Sequence, residues 1–121
     1  MSLTVKASGI YHITHIIRNE WLYHARALEF ELRTAAHTLE HSRALEAREF
    51  FEKDPRAHQL QRIACAMRAM RLAARDIAIP TSTAWETIKA IATPELRSSE
   101  HFRIAEDAVR ALRVLDPSEP D

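Results

Sequence analysis

Residues 10–39 read IYHITHIIRNEWLYHARALEFELRTAAHTL. Apolar side chains recur in this stretch at Ile10, Ile13, Ile17, Trp21, Ala25, Leu28, Leu32, Ala35 and Leu39, in steps of three and four. That spacing keeps one stripe of a helix apolar, close to the 3.5-residue period of packed bundles. Neither proline nor glycine interrupts the chain from Ile10 to Lys53. One long first helix, or two joined at a kink, is the expected structure. A β-hairpin pairing Leu3–Val5 with Ile10–Ile13 around Ser8-Gly9 is the alternative at the start, weakened because an isolated hairpin is barely stable.

The same logic extends along the rest of the chain. Gly9 is the only glycine in 121 residues, while alanine occurs twenty times. Tight turns and phosphate-cradling loops need positive φ, which glycine supplies, and alanine, leucine, arginine and glutamate favour helix. Asp54-Pro55 marks a cap and a first helical residue. A second helix is expected from Pro55 to about Ala78, stopped by Pro80. Its residues from Ile63 to Ala74 are small or apolar nearly all round, which predicts a central, largely buried helix. Thr83 to Glu86 has capping-box spacing and predicts a short helix to about Ala92. Thr93-Pro94 repeats the cap signal. A last helix follows, with Phe102, Ala105, Val109, Leu112 and Leu115 on one stripe and its end before Asp116. The sequence thus predicts an all-α, compact bundle of four or five helices. Residues 1–8 are a leader, residues 9–116 a single helical domain, and residues 117–121 a disordered tail.

Charge is balanced overall, with 17 basic and 17 acidic residues, so no general attraction to nucleic acid or membrane is expected. The balance is local rather than uniform. Residues 54–80 hold five arginines against Asp54 and Asp76, whereas residues 81–121 hold five bases against eight acids. The two regions either neutralise each other in the fold or offer two poles to a partner. Cys65 stands alone, which excludes an internal disulfide and fits a reducing, cytoplasmic setting. It is expected to be a small core residue. No apolar run approaches membrane-spanning length, and Met1 to Lys6 lacks the order of a signal peptide.

Four constellations could carry chemistry. His37-Thr38-Leu39-Glu40-His41 matches H-x-x-E-H, in which histidines four apart can share a zinc ion. It resembles the inverted-zincin proteases over these five residues, but no third ligand can be named, so neither metal nor cofactor is expected. His12 and His15 also have helical spacing, without carboxylates or cysteine beside them. Arg18-Asn19-Glu20-Trp21-Leu22-Tyr23-His24 resembles the R-x(4–6)-H signature of HEPN ribonucleases, which are small helical bundles. That resemblance implies Arg18 stabilising phosphorane charge and His24 as general acid or base, paired across a dimer. Finally, Arg68, Arg71 and Arg75 form a ridge on the second helix. Arg71 is expected to pair internally with Glu40, Glu46 or Glu49, leaving Arg68 and Arg75 freer.

In size, composition and scarcity of motifs, the whole chain resembles small phage-encoded inhibitors of bacterial defence, including all-helical anti-CRISPR proteins. The resemblance implies a non-enzymatic protein that occludes a host protein such as a Cas nuclease or its targeting complex, without direct nucleic-acid contact. Arg68, Arg75 and Trp85 are the expected anchors, since arginine and tryptophan are enriched among binding hot spots; Trp85 is alternatively a core residue. The competing expectation is the ribonuclease using Arg18 and His24. Oligomeric state is left open.

Overall fold

The computed structural model describes residues 3–46, 55–116 and 119. Five helices follow in order: α1 (Leu3–Glu46), α2 (Pro55–Arg75), α3 (Thr81–Ile91), α4 (Pro94–Arg97) and α5 (Glu100–Leu115). The chain is an all-α bundle. α1 lies between α2 and α5, and α3 closes the ring by packing on both α2 and α5. Glu29 meets Arg71 and Arg33 meets Gln61, Arg18 meets Asp116 and His24 meets His101, and Glu86 meets Arg113 and Lys89 meets Glu106, so α2 and α5 each run antiparallel to α1, and α3 antiparallel to α5. The single turn α4 only links α3 to α5. No described helix is long and apolar enough to cross a membrane.

α1 is continuous, and helix already covers residues 3–8, so neither the hairpin nor a separate leader through residue 8 describes the structure. Its inner stripe differs from the expected seam at both ends. Trp21, Ala25, Leu28 and Leu32 are buried as expected, but Ile13 and Ala35 are exposed, and Thr14 and Ala36 are buried instead. Ile13, Ile17, Trp21 and Ala25 are three successive steps of four, each about 40° past a full turn, so Ile13 lies about 120° round from Ala25 while Thr14 falls within about 20° of it.

The core is aromatic at its centre. Trp21 and Trp85 meet edge to face at 6.3 Å, and Trp85 lies 4.6 Å from Phe102. Leu28, Met67, Ile88 and Val109 belong to the same cluster and are fully buried. α2 holds its place between α1 and α3 but is not buried all round. Ala57, Ala64, Met67 and Ala74 face inward, while Cys65, Ala66 and Ala69 are exposed. The expectation of a core cysteine is thereby corrected. Small side chains are cheap to leave in water, so an alanine-rich helix can read as apolar all round while burying only one face.

α2 also ends earlier than expected. The Ala78 N–H donates to the Ala73 carbonyl at 2.9 Å, and the Ile77 N–H to Ala74 at 3.2 Å. These two bonds form a Schellman cap, whose left-handed residue is usually glycine. Here it is Ile77, at φ 59° and 90% exposed. A β-branched residue in that conformation is strained by roughly 1–2 kcal/mol. Ile77→Gly should therefore raise stability by a net ~0.5–1 kcal/mol, after the added freedom of the unfolded chain is subtracted. A urea melt with an unchanged or lower midpoint would contradict this.

The start of α3 shows the opposite arrangement, a cap supplied from far away. Pro80 occupies the N-cap and has no side chain to offer. Glu119 takes over: its carboxylate accepts from the Thr81 N–H at 3.2 Å, the Ser82 N–H at 2.8 Å and the Ser82 hydroxyl at 2.8 Å. It thus satisfies free helix donors and lies on the positive end of the helix dipole. The expected capping box at Thr83 is not used. Of the tail expected to be disordered, Glu119 is 5% exposed; residues 117, 118, 120 and 121 lie outside the described residues. Thr93 and Ser99 cap α4 and α5 through their own hydroxyls, accepting from Leu96 and His101.

Candidate partner-binding face and the groups behind it

α2 carries five arginines and no acid. Only Arg71 turns inward. Its Nη2 donates to Glu29 at 3.2 Å and its Nε to the other oxygen of the same carboxylate. Glu29 is itself 4% exposed, so this is a buried, two-pronged ion pair between α1 and α2. The partner is a first-helix acid as expected, but not Glu40, Glu46 or Glu49. Glu29 sits on the α1 face between the inner stripe and α2, where the apolar seam gave no reason to place a charge.

The remaining arginines face outward. Arg68 is exposed, and among the described residues no acceptor engages it. Arg75 is 56% exposed and meets only the neighbouring Asp76, at 3.1 Å. Seven residues separate the two, so they stand on one side of α2, two turns and about 10 Å apart. Below them, His58, Gln59 and Arg62 line a groove of about 500 Å³ whose floor includes Ile63 and Ile91.

Acidic residues elsewhere do not compensate this face. In α5, Glu100 and Asp107 pair with Arg103, and Glu106 with Arg110 and Lys89. Arg113 and Lys89 hold Glu86, at 2.7 and 3.4 Å, and the Arg113 bond keeps the Glu86 carboxyl below its usual range. Among the described residues no ion pair joins α2 to α3 or α5. These acids of α3 and α5 are thus taken up by bases of those same two helices.

Trp85 is not at the surface. It is 0% exposed, in van der Waals contact with Phe102, and its indole N–H donates to Glu106. The expectation of Trp85 as a surface anchor is corrected in favour of its core alternative. Trp85 comes four residues after Thr81 and three after Ser82, both buried, so it shares their face of α3 and turns into the bundle that α3 forms with α2 and α5.

Arg18 and His24 are not brought together. Arg18 pairs with Asp116 and approaches Glu119 at 3.7 Å, tying α1 to the end of α5. His24 lies further along α1, where its Nδ1 is 2.7 Å from Nδ1 of His101 at the start of α5. One ring must donate and the other accept, so both nitrogens cannot carry protons. The Glu31 carboxylate lies 3.9 Å from His101 Nε2, on the far side of that ring. Burial, then the neighbouring His101, lower the His24 pKa from its ordinary 6.5, against smaller opposing effects of Glu20 and Glu100. A lowered histidine pKa means the unfolded chain binds the proton more readily. The contribution of His24 is thus fully present above about pH 6.5 and is lost as pH falls below it. Stability by urea melting should therefore drop between pH 8 and 5.5, and the drop should be smaller in His24→Gln. Equal slopes in both proteins would contradict the assignment.

His37 and His41 are exposed on α1, as are His12 and His15. Among the described residues no group of three His, Cys, Asp or Glu side chains is placed to hold a metal ion. Comparison of the chain with protein-family models, curated proteins and solved structures finds no match.

Proposed function

We propose that the chain is a non-enzymatic protein-binding inhibitor whose docking face is the outer side of α2. The observation behind this reading is the pair Arg68 and Arg75, exposed on one side of a packed helix without compensating acids from α3 or α5. A guanidinium offers a planar fork matched to carboxylates, and a helix already fixed by its core loses little freedom on docking. The partner is an acidic surface on another protein. The whole-chain resemblance names the class to assay first, a Cas nuclease or its targeting complex blocked by occlusion.

The test is the double variant Arg68→Glu/Arg75→Glu. Neither side chain supports the core, so its helicity and melting should match the parent. Binding to the captured protein, or inhibition of a reconstituted Cas effector, should weaken by about 2 kcal/mol, roughly thirtyfold. Unchanged binding and inhibition would remove this face from consideration. RNA cleavage by the purified protein, abolished in His24→Ala and retained in the double variant, would replace the inhibitor reading with the ribonuclease one.

A further inference from the structure

The outer side of α1 carries an apolar stripe that nothing in the bundle covers. Ile13, Ile16, Tyr23 and Phe30 are 48, 51, 67 and 71% exposed. Their spacing is that of a coiled-coil seam, with Ile16, Tyr23 and Phe30 one heptad apart and Ile13, Glu20 and Ala27 each three residues earlier. The stripe lies opposite the inner face of Trp21, Ala25, Leu28 and Leu32, so α1 has two apolar faces, only one of them used by the fold. It runs about 26 Å along the helix axis. Single exposed apolar residues need no explanation, but four large ones at heptad spacing on one side of a helix, interrupted only by Glu20 and Ala27, mark an interaction surface.

We propose that a second copy of this chain packs on this face, α1 against α1 in antiparallel orientation. The stripe is its own complement only in that sense. With the two-fold axis between residues 21 and 22, Ile13 faces the partner's Phe30, Ile16 faces the partner's Ala27, and Glu20 faces the partner's Tyr23. Each large side chain meets a smaller one, and the Glu20 carboxylate meets a phenol that can donate to it. Arg26 is exposed, and this register sets it within one turn of the partner's Glu20, where it offsets the carboxylate. A parallel, in-register pair would stack Glu20 directly on Glu20, whereas the antiparallel register offsets the two Glu20 carboxylates by three residues along the axis and sets Arg26 near each of them. The flanking positions, Asn19 with the partner's Arg26 and His12 with the partner's Arg33, bring no acids into opposition. The α2 arginine face is not used, so the dimer stands independently of the proposed function.

Sedimentation equilibrium of the full chain across a range of concentrations, up to about 100 µM, should give twice the chain mass at the upper end. Ile16→Glu/Phe30→Glu should sediment as a monomer with parental helicity, because both side chains face solvent in the single bundle. Orientation is read by disulfide capture in a Cys65→Ser background. A mixture of Ile13→Cys and Phe30→Cys chains should cross-link to each other, and Ile13→Cys alone should not. A monomer at every concentration, a dimer that survives the double substitution, or efficient Ile13→Cys self-cross-linking would each overturn the proposal. Should the glutamate variant fail to fold, the cross-linking result decides alone. Loss of the dimer with binding by the Arg68 and Arg75 face intact would leave the inhibitor reading standing.

Discussion

Glu29→Ala is expected to destabilise the bundle by ~3–5 kcal/mol, because it leaves the Arg71 guanidinium in a site that is dry and no longer paired. Domains of this kind have about 5–15 kcal/mol in total, so the variant should melt far below the parent or fail to fold at growth temperature. The ion pair itself need not be the source of stability. Removing both charges, as in Glu29→Leu/Arg71→Met, replaces it with apolar packing of similar volume, and buried pairs exchanged in this way are often neutral or stabilising. Urea melts of the parent, the single variant and the double variant should therefore give a deep loss followed by near-complete recovery. A single variant within about 1 kcal/mol of the parent would mean that the pair behaves as a surface contact.

Trp85→Ala should cost about as much, ~3–5 kcal/mol, from the transfer of a large side chain and the cavity left between Trp21 and Phe102. The Glu106 carboxylate also loses its indole donor, keeping only Lys89 and Arg110. The effect falls on stability, with no separate effect on binding once the protein is folded. That separates a core tryptophan from a docking anchor, for which alanine would leave the melting curve in place and abolish capture of a partner. Near-ultraviolet circular dichroism adds a second readout, since the perpendicular indole pair in a rigid core should give a strong signal that vanishes in the variant.

How far these features can be read from the sequence depends on whether they are local. The three-and-four spacing from Trp21 to Leu32, the Thr93-Pro94 cap and the stripe from Phe102 to Leu112 are periodic or adjacent in sequence, and each is found in the structure where expected. Ile13 went the other way, because three successive steps of four carry it about 120° round the helix from Ala25. Arg68 and Arg75 were legible as outward residues from their angle relative to Met67 and Ala74. Glu29, Glu106 and Glu119 were not, since a carboxylate is placed by the cation or helix end it meets, and those partners are 42, 21 and 38 residues away. Glu119 in particular lies between prolines in an acidic stretch with no apolar residue to mark it as docked. The α1 outer stripe was present in the sequence as Ile16, Tyr23 and Phe30, but it acquires meaning only once the inner face of the same helix is known.

The ring of helices has a kinetic corollary. Its first and last walls are α1 and α5, and the contacts that join them, Arg18 with Asp116 and His24 with His101, span 98 and 77 residues. Glu119, which holds the head of α3, is made later still. While the chain is being synthesised, α1 and α2 can meet early, but Trp21, Ala25 and Leu28 keep one flank open until α5 has cleared the ribosome. Final closure is thus a late, cooperative event whose rate is set by bringing distant segments together, and a nascent chain halted before residue 100 would display an aromatic, aggregation-prone seam to any chaperone nearby.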